Sequence, residues 1–228
     1  MVKVPGGEIE LRDDRIKSKW KAEIRPFLLA RYPVTADFYY TITNKSLNSF
    51  NQDLKTVVNI SWYDAISFCN LLSQKAGLGE SYSINGENIV CDWESNGFRL
   101  PTEAEWQYAC KAGTAGYRYG ELNNIAWYNG NSGGKIHEIG TKEPNPWGLH
   151  DMLGNVWEWC WDIYDEQVYG TYRIFRGGSW AEDARGCGAT CRRLSHPIFC
   201  IDDLGFRLAR SFQLRQTSQI HSKLTALS

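Results

Sequence analysis

The sequence predicts an α+β domain of short strands and a few capped helices joined by long ordered loops, and three observations predict it. The 228 residues include ten Trp, twelve Tyr and 21 Gly. Large rings can fill a core where regular elements are short, and Gly supplies the positive-φ turns between them. Two segments carry strong helix-start signals, at Ser61 and Thr102. The run NVWEWCWD at 155–162 alternates with the period of a strand. At 43% hydrophobic and 22% charged, the chain is long enough for one well-cored domain, placed at 1–212.

In order, Val2-Lys3-Val4 before Pro5-Gly6-Gly7 reads as a strand entering a turn, and RPFLLARY at 25–32 as a second strand closed by Pro33. Thr35 caps a helix over 36–43. Ser61 caps a longer one, which puts Trp62, Ala65, Ile66, Cys69 and Leu72 on one face and ends at Gly77. A hairpin over 82–91 turns at Asn85-Gly86. Thr102 and Glu105 form a capping box for a helix running to Ala112 and stopping at Gly113. Residues 113–150 read mostly as loop. Trp157, Trp159 and Trp161 share one face of a strand, and 173–176 and 205–209 supply the remaining core strands. From Gln213 onward the chain is polar and patternless, as a disordered tail would be.

A formal charge of -1 gives no electrostatic footprint for nucleic acid. No apolar run approaches roughly 18 residues, so no conventional transmembrane helix is expected. Seven cysteines, an odd number, argue against a full disulfide framework. The first residues lack the apolar core of a signal peptide. Location at the cell surface as a lipoprotein whose leader has been removed is compatible with this, and a monomer is expected.

Three blocks, GFRLPTEAEWQYACKAG at 97–113, NPWGLHDMLGNVWEWCWD at 145–162 and RIFRGGSW…LGFRLAR at 173–210, resemble the formylglycine-generating-enzyme/sulfatase-modifying-factor domain family. SWYDAISFCN at 61–70 fits the family's upstream helix. The resemblance implies a variant of the C-type lectin fold, with small mixed and antiparallel sheets, two main helices and long ordered loops. This fold hosts enzymes and binding proteins alike, so the site decides function.

Enzymes of this family resemble one another in a copper-binding Cys-x4-Cys pair after the RGGS turn. Here the first position falls on Glu182 and the second on Cys187. A carboxylate does not replace a soft ligand for Cu(I), so no copper is expected and the chain is read as a non-enzyme. The alternative is an oxidase or related metalloenzyme with an altered site. Cys187, Cys191, His196 and Cys200 are ligand types in a short span, but their spacings fit no usual zinc pairing. Cys69, Cys110 and Cys160 read as small core hydrophobes.

Between RGGSW and LGFRLAR, the stretch AEDARGCGATCRRLSHPIFCIDD has no helical or strand period. It resembles the variable region of C-type-lectin-fold proteins diversified by retroelements, in which adenines of a template, chiefly in AAC codons, are randomised. Such codons do not reach Lys, Gln, Met, Trp or Glu. Residues 181–203 contain no Lys, Gln, Met or Trp, whereas overall composition predicts about three. Glu182 departs from the pattern. Ala184, Cys187, Arg192 and Pro197 fall where such proteins keep scaffold residues. The ligand-binding positions implied are Ala181, Glu182, Asp183, Arg185, Gly186, Cys191, Arg193, Leu194, Ser195, His196, Ile198, Phe199, Cys200, Ile201, Asp202 and Asp203. The partner is then a protein or cell-surface ligand of variable identity. The family resemblance also implies structural calcium on the carboxylates of Asp151 and Glu158 and the carbonyls of Gly154 and Val156.

Overall fold

Two four-stranded sheets and two hairpins hold the helices and loops of the computed structural model, which describes residues 1–44 and 55–211. The strands are β1 (Val2–Val4), β2 (Gly7–Asp13), β3 (Ser18–Ile24), β4 (Phe27–Leu29), β5 (Tyr82–Asn85), β6 (Asn88–Cys91), β7 (Phe98–Arg99), β8 (Trp157–Ile163), β9 (Arg173–Arg176), β10 (Arg192–Ser195), β11 (Leu204–Phe206) and β12 (Ala209–Ser211). The helices are α1 (Ala36–Thr43), α2 (Trp62–Lys75), α3 (Glu103–Lys111) and the single turns α4 (Leu122–Ile125) and α5 (Glu166–Tyr169). One sheet has the order β1-β4-β12-β7, the other β10-β9-β8-β11; β2-β3 and β5-β6 are hairpins. The tail from Gln213 lies outside the described residues.

The capping chemistry sets the two main helices. Ser61 Oγ accepts from Asp64 N–H and Thr102 Oγ1 from Glu105 N–H, each at 3.1 Å, and in both the acidic side chain returns the bond to the cap N–H. The β5–β6 hairpin differs by one residue from the sequence expectation. Asn85 pairs with Asn88, so Gly86-Glu87 form the turn, and Gly86 takes the positive φ. The β2–β3 hairpin was not anticipated. Ile9, Leu11 and Asp13 alternate inward on β2, but the intervening Glu8, Glu10 and Arg12 are charged and exposed and most of β3 is solvated, which hides the period. Residues 205–209 also do not form one strand. β11 ends at Phe206 and β12 begins at Ala209 in the other sheet, with Arg207-Leu208 making the crossing.

β8 is the centre of the molecule. Trp157 and Trp159 face one apolar cluster, with Trp161 packed against it; Cys160 faces the second cluster with Trp106 and Ile174. Three fully buried indoles have acceptors: Trp62 Nε1 donates to Cys160 O, Trp159 Nε1 to Ile60 O and Trp106 Nε1 to Glu158 Oε2, at 2.8 to 2.9 Å. Leaving one unpaired would cost about 1–3 kcal/mol. Cys69, Cys110 and Cys160 are buried, and burial pushes each thiol upward, in keeping with packing rather than reactivity.

Candidate ligand-binding face

Register across the second sheet separates two rows on opposite faces, one largely charged and one largely aromatic. Gly205, Glu158, Arg176 and Arg192 lie side by side, and Phe206, Trp159, Phe175 and Arg193 form the next row on the opposite face. Arg192 therefore points to α3 and β2. It donates to both Glu103 oxygens (2.6 and 2.8 Å) and to Asp13 Oδ2 (2.5 Å). Arg193 points the other way, over the Trp157 ring and to Glu182.

Segment 181–203 leaves β9 through Gly177-Gly178. Gly178 has a φ of +82°, and a Cβ there would lie 2.6 Å from Cys187 Sγ, so only glycine lets the thiol tuck under the turn. The segment then curls over Tyr117. A Cβ on Gly188 would stand 1.9 Å from that ring.

Donors outside the segment take up its backbone carbonyls. Arg118 donates to Cys187 O (2.9 Å) and to Ala184 O, the Tyr117 hydroxyl to Arg185 O (2.5 Å), and Asn129 N–H to Glu182 O (3.0 Å). Arg176 donates to Ala189 O (3.0 Å) and Cys191 O (2.8 Å). Further along, Trp62 N–H at the start of α2 donates to Pro197 O and Asn59 N–H to Ile201 O, both at 3.0 Å. The path of the loop is thus fixed without its own outward side chains. Tyr117, Arg118 and Asn129 carry no local sequence signal; only the folded chain brings their loop here. The segment is also less irregular than its sequence suggests, because Arg192–Ser195 form β10 against β9.

The side chains divide accordingly. Cys187 and Pro197 are buried, Arg192 is caged and Ala184 is half-buried. Exposed are Ala181, Asp183, Arg185, Arg193, His196, Ile198, Phe199, Cys200, Ile201 and Asp202. The apolar members are unusually open, Ile198 at 66%, Phe199 at 38% and Ile201 at 40%. Glu182, Cys191, Leu194 and Ser195 are half-buried. Two expected contacts turn inward instead. Gly186 is buried beneath the Glu182 side chain, and the Asp203 carboxylate accepts from Ser179 Oγ at 2.6 Å.

At the position of the copper pair, Glu182 stands first and Cys187 second. Burial, and then the Glu182 carboxylate, push the Cys187 thiol up to about 12, so it is protonated at neutral pH, and Glu182 is drawn to Arg193 at 3.3 Å. Among the described residues no three His, Cys, Asp or Glu side chains are placed to hold a metal ion together. The calcium donors are set differently. Glu158 is clasped by Arg207 (2.7 and 3.2 Å to Oε1, 3.0 Å to Oε2) and Trp106 (2.8 Å to Oε2), so each of its oxygens already accepts two hydrogen bonds. Asp151 is buried with Gly140 N–H on Oδ2 at 2.7 Å, and burial raises its carboxyl. Asp151 and Glu158 are thus both buried, and among the described residues only Glu158 is ion-paired with Arg207.

Fold and loop together define a sulfatase-modifying-factor scaffold with an altered oxidase position and an exposed, externally braced arm. The chain belongs to the family of the sulfatase-modifying factor enzyme 1-like domain, whose profile matches residues 1–212. It is similar to Treponema denticola variable protein 1, a solved structure, at 33% identity and a TM-score of 0.82 over 93% of this chain and 95% of that one. Among curated relatives, it is 30% identical to the chaperone protein LppX of Paenibacillus barcinonensis, over 79% of this chain and 78% of that protein. It is 26% identical to the inactive C-alpha-formylglycine-generating enzyme 2 of Bos taurus (92% and 87% covered) and 29% identical to the formylglycine-generating enzyme of Streptomyces coelicolor (71% and 54% covered). The family thus includes active and inactive members. No described helix is long and apolar enough to cross a membrane.

Proposed function

We propose that the protein is a non-catalytic ligand-binding protein whose 181–203 arm is diversified by a retroelement to recognise varied protein or cell-surface targets. The observation that carries this is the division of labour within the arm. Its carbonyls are held by Arg118, Tyr117, Asn129, Arg176, Asn59 and Trp62, all outside it, while ten of its side chains face solvent. Changing an exposed side chain on a fixed backbone alters recognition and leaves folding intact, because surface substitutions away from such anchors fall within about 0.5 kcal/mol. Phe199, Arg185 and Arg193 are the side chains of the type that dominates interface energy. Similarity to a variable protein supports the reading, and Glu182 at the first copper position speaks against the oxidase alternative. Calcium is proposed as a structural ion on Asp151, Glu158 and the Gly154 and Val156 carbonyls.

A displayed library randomised at the ten exposed positions and selected against a panel of unrelated proteins tests the proposal. Folded, target-specific binders are expected from most of the panel. A library that is largely unfolded, or yields no binder, overturns it.

A further inference from the structure

A cleft of about 350 Å³ opens between the β2–β3 hairpin, the first turn of α3 and the end of β8, on the face of β10 opposite Arg193. Leu11, Trp20, Ile163 and Tyr164 give it apolar and aromatic walls. Four carboxylates line it: Asp13, Glu103, Asp162 and Asp165. Arg192 answers the first two, with its guanidinium 4.6 Å from the Tyr164 ring centroid and 5.2 Å from that of Trp20. Arg15 stands near the mouth, donating to the Tyr169 hydroxyl at 2.8 Å. Among the described residues, Asp162 and Asp165 make no ion pair. Asp162 accepts from the Glu103 N–H (2.6 Å), and Asp165 from the first N–H groups of α5.

A second feature points outward from the same place. Ile16 and Trp20 at the rim are exposed, as is Val168 on α5, which Asp165 caps. Exposed apolar residues beside a concave site mark a surface that meets a partner. Their chemistry specifies that partner. Two carboxyl groups without an ion pair, Asp162 and Asp165, ask for a cation, and apolar residues beside them ask for aliphatic neighbours that shield the pair from water. We propose that this cleft is a constant docking site for a lysine or arginine side chain, presented with apolar neighbours by an extended segment of a protein partner. Variable recognition and constant attachment then sit on opposite faces of β10, joined through Arg192 and Arg193.

The test is an NMR titration of the labelled full chain with acetyl-Leu-Lys-Leu-amide and, separately, acetyl-Leu-Glu-Leu-amide. The lysine peptide is expected to shift the Trp20 indole and Val168 amide signals saturably, and the glutamate peptide to leave them in place. Asp162→Asn and Asp165→Asn, which keep the acceptor oxygens, are each expected to raise the lysine peptide's Kd at least tenfold, and Ile16→Ser severalfold. If Asp162→Asn unfolds the protein, Asp165→Asn alone decides. Absence of saturable shifts, equal response to both peptides, or an unchanged Kd in Asp165→Asn overturns the proposal. None of these variants alters the exposed arm, so the outcome is separable from that of the library.

Discussion

Arg192→Ala removes the guanidinium that bridges Glu103 and Asp13 across the inner face of β10. The Arg192 side chain is 11% exposed and its partners are 3–4% exposed, so the substitution leaves buried Asp13 without an ion pair and leaves Glu103 with Arg176 at 3.5 Å. Breaking a buried pair by deleting one partner costs roughly 3–5 kcal/mol. The neighbouring substitution, Arg193→Ala, removes an ion pair to Glu182 from a side chain that is 53% exposed; exposed pairs contribute about 0–1 kcal/mol. For a domain of this size 1 kcal/mol moves the melting midpoint by roughly 2–4 °C. Calorimetric melts at pH 7 should therefore show a drop of about 6–20 °C for Arg192→Ala and no more than about 4 °C for Arg193→Ala. Similar drops for the two would refute the division between scaffold and surface, because adjacent residues of one strand would then carry equal weight.

Three further outcomes follow from the same geometry. Cu(I) titration of the purified protein should give no stoichiometric thiolate complex; tight copper with oxygen uptake would restore the oxidase reading. Burial and then Glu103 push the Asp162 carboxyl up to about 7. In the window between the ordinary carboxylate range and pH 7, the folded state holds a proton that the unfolded state has lost. Stability should thus fall as pH rises through that window, by up to about 1.4 kcal/mol per unit, and the slope should flatten in Asp162→Asn; an unchanged slope in urea titrations contradicts this. Calcium should raise the melting midpoint, EDTA should lower it, and Asp151→Asn should abolish the difference. A midpoint indifferent to chelator removes calcium from Asp151 and Glu158.

The legible parts of the fold were those with local chemistry. Ser61–Asp64 and Thr102–Glu105 announce helices because a cap and its return bond lie within four residues. The Trp alternation at 157–161 announces β8 for the same reason. The β2–β3 hairpin was missed because most of its surface is solvated, so charged residues interrupt the apolar period. The break at Arg207 was hidden because a residue leaving one sheet for another looks, in sequence, like a continuing strand. Its role emerges only in the fold, where its guanidinium binds Glu158 and the carbonyls of Ala30, Arg31 and His150. In the candidate face, the family pattern marked the arm and its scaffold positions. The external braces stayed invisible, since Arg118 reaches Ala184 and Cys187 across 66 and 69 residues of chain. Gly186 and Asp203 read as contacts in sequence because residue order does not show which way a loop residue turns.

If the arm at 181–203 varies while its frame is kept, the genomic neighbourhood records it, and sequencing that locus is the decisive measurement. A near-identical copy of the DNA encoding 173–210 is predicted beside a reverse transcriptase gene, differing at template adenines. Those differences should fall on the exposed positions and spare Cys187, Arg192 and Pro197. A locus without such a copy, or with differences spread evenly over buried and exposed codons, would contradict the account.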